Sequence, residues 1–147
     1  MANRRRNGTV DWTPPGGVVD SEEALTAALT REVSEETGYR VDDWIGPCYR
    51  VRVDFPDRQM TLEVEVHRAV NWTGTLVLND PDGIVEDARF VDLEEAMDLT
   101  VTAPLWVSEP FGVWLANQHL PEGEQRVEDH SFVAHGLHSD ELSVERV

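Results

Sequence analysis

Lysine is absent from this chain, and all 12 basic side chains are arginine. That excludes Schiff-base chemistry on a lysine and the lysine of a P-loop. Cysteine occurs once, as Cys48, which excludes an internal disulfide and a cysteine-based zinc site. A reducing cytoplasm is the simplest compartment for such a chain. Cys48 reads as a small buried residue on a strand. No apolar run is long enough to span a membrane. The N-terminus carries Arg4, Arg5 and Arg6 but no apolar segment behind them, unlike a signal peptide. Positive charge is scarce overall. Against 29 acidic residues the net charge is −17, and the pI is near 4.4. Such a surface repels nucleic acid polymers and anionic membranes. It also repels free nucleotides unless cations neutralise their phosphates. Repeats and low-complexity runs are missing too. A length of 147 residues suggests one domain, 1–147, large enough for a real core.

What the chain does have is concentrated in residues 17–39, GVVDSEEALTAALTREVSEETGY. Leu25, Leu29 and Val33 recur at i, i+4 and i+8 with Ala28 beside them, which is one apolar helix stripe. Asp20 or Ser21 suits the N-cap, and Gly38 suits the left-handed residue that ends a helix. A helix over about 22–37 is expected. Glu32, Glu35 and Glu36 then share one face within about one turn. Like charges at that spacing repel by roughly 0.2–0.5 kcal/mol per pair when exposed. A bound cation would reverse the sign, and Mg²⁺ takes oxygen ligands together with waters and substrate phosphates. Arg31 stands four residues before Glu35, close enough to orient a carboxylate. The stiff approach Trp12-Thr13-Pro14-Pro15-Gly16-Gly17 ends in two glycines, which let backbone come close to a ligand. Taken alone, the glutamates read more simply as the wet face of an amphipathic helix.

The whole segment, however, resembles the box of the Nudix hydrolase family, of MutT type. Gly17, Glu23, Arg31, Glu32, Val33, Glu35, Glu36 and Gly38 meet its pattern in register, with Tyr39 standing where a bulky aliphatic is usual. The resemblance implies an α/β fold, an α/β/α sandwich with a mixed β-sheet. It implies Mg²⁺- or Mn²⁺-dependent hydrolysis of a pyrophosphate bond in a nucleoside diphosphate linked to another group, such as a nucleoside triphosphate or a nucleotide sugar like ADP-ribose. By the same resemblance Glu32, Glu35 and Glu36 hold the metal with the carbonyl of Gly16, Arg31 orients a catalytic glutamate, and Glu23 is structural. Some members carry the general base on a distant loop, and Glu86, then Asp87, are the candidates in the stretch 79–87. The same stretch also reads as a solvated turn. Pro56 lies near the offset at which ADP-ribose-type members carry a proline. The alternative is a non-catalytic Nudix-like module that binds a nucleotide.

Beyond the box, residues 49–55 and 61–70 alternate with the period of half-buried strands, joined by the turn Pro56-Asp57-Arg58. Short strands are expected at 76–78, 88–91 and 131–134, and helices at 93–99 and 109–119. The tail from about 135 is expected to be loosely ordered, with His130, His135 and His138 in a solvated region. The tryptophans at 12, 44, 72, 106 and 114 read as core residues or as stacking partners for a base. Related proteins usually place a strand ahead of the Pro-Gly-Gly entry. Here Arg4-Arg5-Arg6 looks like the end of such a strand, which is expected to be missing. The exposed sheet edge would favour a homodimer. Arg4–Arg6 would otherwise meet a substrate phosphate.

Overall fold

Helix α1 (Leu25–Thr37) forms on the stripe seen in the sequence, with Ala28, Val33 and Thr37 buried. Its start differs from expectation, because neither Asp20 nor Ser21 caps it and Ala24 is the N-cap residue. The reason is local. Glu22 adopts a positive φ of 68°, and the Glu23 carboxylate accepts from the Asp20 N–H at 3.1 Å, so 20–24 forms a turn instead of a first helical turn. The other end behaves as expected. Gly38 is left-handed at φ 77° and its N–H donates to the Ser34 carbonyl at 2.9 Å.

The computed structural model describes residues 1–121, 124–139 and 141–147, and the chain forms two compact units. The first comprises Met1–Ile45 and Ala69–Thr102. It holds α1, a three-stranded antiparallel sheet and helix α2. The strands are β1 (Ala2–Arg4), β2 (Val10–Trp12) and β5 (Val85–Asp87), in the order β2-β1-β5. Two longer strands, β3 (Arg40–Phe55) and β4 (Met60–Thr73), start or end in this unit. Residues read as the end of a missing strand therefore form one themselves. β1 stands ahead of the Pro-Gly-Gly entry with partners on both sides, Ala2 opposite Trp12 and opposite Asp87. Its buried Asn3 is satisfied by Asp11 and by Thr13, the latter at 2.8 Å. Helix α2 (Leu93–Thr100) begins where Asp92 accepts from the Glu95 N–H at 2.9 Å.

The second unit comprises Gly46–Arg68 and Ala103–Val147. Here the sheet is mixed, in the order β4-β3-β6-β7, with β6 (Glu128–His135) parallel to β3 and β7 (Ser143–Arg146) antiparallel to β6. The expected alternation holds. Tyr49, Val51, Val53 and Phe55 point into a core shared with Phe132 and Ala134, and Trp106, Phe111 and Trp114 of helix α3 (Leu105–Ala116) pack on it. The intervening residues face outward as ion pairs, Arg50 with Glu65 at 3.0 Å and Arg52 with Glu63 at 2.8 Å.

Several expectations need correction. Residues 76–78 and 88–91 are not strands, and β5 precedes the latter. Helix α3 starts four residues early despite Pro110, which is buried inside it. The tail is not loose at its end. β7 pairs Phe132 with Arg146 in register, and Arg146 forms an ion pair with Glu109. His130 is not solvated but only 3 % exposed, set edge-on against Tyr49 with ring centroids 6.0 Å apart. Its strand starts among the acidic residues Glu128 and Asp129, which hides the burial from a periodicity reading. Cys48 lies on β3 as expected and is half-buried.

Candidate active site

Every residue singled out around the box lies in the first unit, and Arg31 gathers them. Its guanidinium donates to both carboxylate oxygens of Glu23, at 3.0 and 2.9 Å, and to the Val18 carbonyl at 3.0 Å. The remaining nitrogen, Nη1, donates to Glu32 at 2.9 Å and to Glu35 at 3.4 Å. The planar fork of arginine explains this reach, since a point-charge ammonium could not hold three carboxylates and a carbonyl in fixed directions. Arg31 is held more firmly protonated by Glu23 and then by Glu32. Glu23 in turn is held below the usual carboxylate range, first by the Arg31 hydrogen bonds and then by the Asp20 N–H.

Glu36 sits apart from this arginine. One of its oxygens accepts from the Gly16 N–H at 3.0 Å. Burial raises its carboxyl to about 7, with the charges of Glu32 and Asp80 adding to the rise and the Gly16 hydrogen bond opposing it. Gly17 has a separate steric role. A Cβ built there would lie closer than 3.0 Å to the carboxylate atoms of Glu32. Glycine at 17 is therefore what leaves room for that carboxylate beside Arg31.

The structure thus brings together Gly16, Gly17, Glu23, Arg31, Glu32, Glu35 and Glu36. Glu86 is elsewhere engaged. It lies on β5 with both oxygens on Arg4, the Nη2 contact being 2.9 Å. Arg5 is likewise taken by Asp11, at 2.6 and 2.9 Å. Two of the three N-terminal arginines are thus committed to carboxylates of the protein. A residue missed in the sequence is Asp80. Burial alone would push its carboxyl up, but the N–H groups of Val85, Ile84 and Asp82 outweigh this and hold it below the usual range. Its charge reaches Glu36. The signal was its place at the head of an Asp-Pro-Asp-Gly turn, where an aspartate commonly accepts from backbone N–H groups.

The donor set is oxygen only, three carboxylates on one helix face beside a glycine backbone, and this chemistry fits a hard divalent cation. Among the described residues no three His, Cys, Asp or Glu side chains stand in a geometry that itself holds a metal. The cause is visible: Glu32 and Glu35 are turned to Arg31, and Glu36 to Gly16.

A NUDIX domain family model matches residues 1–111. The chain belongs to the Nudix family. Among solved structures it is similar to the mMutator MutT protein from Bacillus halodurans, at 18% identity and a TM-score of 0.63, over 99% of this chain and 87% of that one. At that identity the likeness speaks for the fold, which is mixed α/β in both. No curated protein matches the chain. Nudix members are generally pyrophosphohydrolases that use divalent metals and act on nucleotide-type small molecules. No described helix of this Nudix protein is long and apolar enough to cross a membrane.

Proposed function

We propose that this Nudix protein is a divalent-metal-dependent pyrophosphohydrolase that cleaves a nucleoside diphosphate linked to another group. The observation that carries the reading is the registration of Glu32, Glu35 and Glu36 on one face of α1, with Arg31 and the Gly16-Gly17 backbone set against them. Glu32, Glu35, Glu36 and the carbonyl of Gly16 would hold Mg²⁺ or Mn²⁺. The bound ion would neutralise pyrophosphate oxygens and acidify a water.

The remaining work falls to the chain itself. Arg31 fixes the direction of Glu32 through a 2.9 Å hydrogen bond. Glu35 is the most open of Arg31's carboxylate partners on this helix, 41 % exposed, and its contact with Arg31 is the longer one at 3.4 Å. It has the greatest freedom to take a proton from an attacking water. Glu86 is a weaker base candidate, because both of its oxygens are already taken by the Arg4 guanidinium. Residues 1–147 act together as one catalytic domain in this reading, placed in the cytoplasm.

A second reading, a non-catalytic nucleotide-binding module, draws on one observation. The carboxylates as they stand satisfy Arg31 and Gly16 rather than converging on a common point. Incubation with Mg²⁺ and a panel of nucleoside diphosphate derivatives, followed by a phosphatase and a phosphate assay, separates the two. Turnover of at least one substrate, lost in Glu35→Gln, supports the enzyme. A fully silent panel sinks it in favour of the module.

A further inference from the structure

Among the five tryptophans, Trp72 stands out in the first unit. It is 46% exposed and stacked on Phe90, which is 70% exposed, with centroids 5.7 Å apart and planes 23° from parallel. Tyr39 meets Phe90 edge-on at 5.5 Å. Large aromatic rings gain by burial, so two stacked rings left this open, beside a half-buried Tyr39, are an exception to the usual placement. Phe90 gives one face to Trp72 and is the more exposed ring of that stacked pair.

Two chain connections tie this cluster to the carboxylate face. Tyr39 follows Glu36 with only Thr37 and Gly38 between them, so their Cα atoms are at most about 11 Å apart. On the other side, Arg89 adjoins Phe90 and lies over the Trp12 ring at 5.1 Å, and Trp12 leads into the Gly16 that touches Glu36. In a chain of net charge −17, Arg89, half-open and paired with Glu95 at 2.9 Å, places a positive charge beside aromatic rings, where a planar, electron-rich group is welcome.

We propose that Phe90, backed by Trp72 and Tyr39, is the stacking platform for the nucleobase of the substrate, with Arg89 flanking it. The inference rests on the pyrophosphohydrolase reading and deepens it, since it makes the base a recognised part of the substrate. Stacking is tolerant of base identity because every base has a π-face. The platform therefore selects nucleotides over sugar diphosphates or inorganic pyrophosphate without choosing sharply among bases.

Adenosine is the probe, because it is uncharged and binds without metal or turnover; ribose is its control. Binding is measured by NMR titration of the protein's aromatic and amide signals. The expected result is saturable adenosine binding with shifts at Phe90 and Trp72, none with ribose, and affinity weakened roughly tenfold in Phe90→Ala and Trp72→Ala. Trp72→Phe keeps a ring and retains most of the affinity, which a merely structural loss would not. In turnover, Phe90→Ala raises KM with kcat little changed. No adenosine binding to the wild type, or equal binding to the alanine variants, overturns the proposal. If adenosine binds on these rings while the substrate panel is silent, the hydrolase reading fails and the platform stands.

Discussion

Substituting Gly17 by alanine separates the site from the fold. Gly17 does not need a left-handed backbone, so alanine carries no conformational penalty of that kind. The three atoms nearest its Cβ all belong to the carboxylate of Glu32, the far end of a flexible side chain, which can swing aside. The stability loss is then limited to the Arg31–Glu32 hydrogen bond at 2.9 Å. With Glu32 17 % and Arg31 30 % exposed, that contact is worth about 1 kcal/mol or less after solvent screening. The site fares worse. A displacement of about 1 Å in a positioned group can cost roughly 100-fold in rate. Gly17→Ala is therefore expected to unfold in urea within about 1 kcal/mol of the wild type, while kcat/KM on the best panel substrate falls at least about tenfold. Full activity with Gly17→Ala would refute the steric role assigned to this glycine. A stability loss of several kcal/mol would show that the clash is taken up by backbone and not by Glu32.

Four further outcomes follow from the same structure. Arg31→Lys, which cannot reproduce the fork on Glu23, is expected to lose activity roughly 100-fold while losing little stability, read by kinetics and urea unfolding. Glu86→Gln should leave kcat within a few-fold of wild type, since that carboxylate is already committed to Arg4, whereas Glu35→Gln should not. Phe132→Ala, at a site 1% exposed, should cost about 3–5 kcal/mol in urea unfolding. For pH, burial lowers the His130 imidazole, with Arg146 assisting and Glu128, Glu109 and Asp129 opposing. The unfolded chain then binds the proton more readily, so stability is fully present above the unfolded value of about 6.5 and falls as pH drops below it. His130→Phe should flatten that acid limb of the Tm–pH curve; an unchanged slope would remove His130 as its cause.

Legibility in the sequence tracked periodicity and side-chain type. The α1 stripe and the alternation of Tyr49–Phe55 were readable because a half-buried element repeats its pattern over several residues. β1, β2, β5 and β7 have three or four residues each, too few to show a period, and β7 is held by pairing with β6. The partners of Arg31 could be named from the spacing of Glu32 and Glu35, but the bidentate grip on Glu23 depends on the turn at Glu22. Glu86 looked like a free loop carboxylate until β1 and β5 paired and brought Arg4 to it. Long-range pairing of that kind leaves no trace in local pattern.

Mn²⁺ binding to the protein without substrate, followed by calorimetry and by the loss of free-Mn²⁺ paramagnetic signal, tests the central claim most directly. Saturable binding to the wild type is expected, abolished in Glu36→Gln and strongly weakened in Glu32→Gln, with both variants folded. Binding of equal strength in wild type and both variants would contradict it.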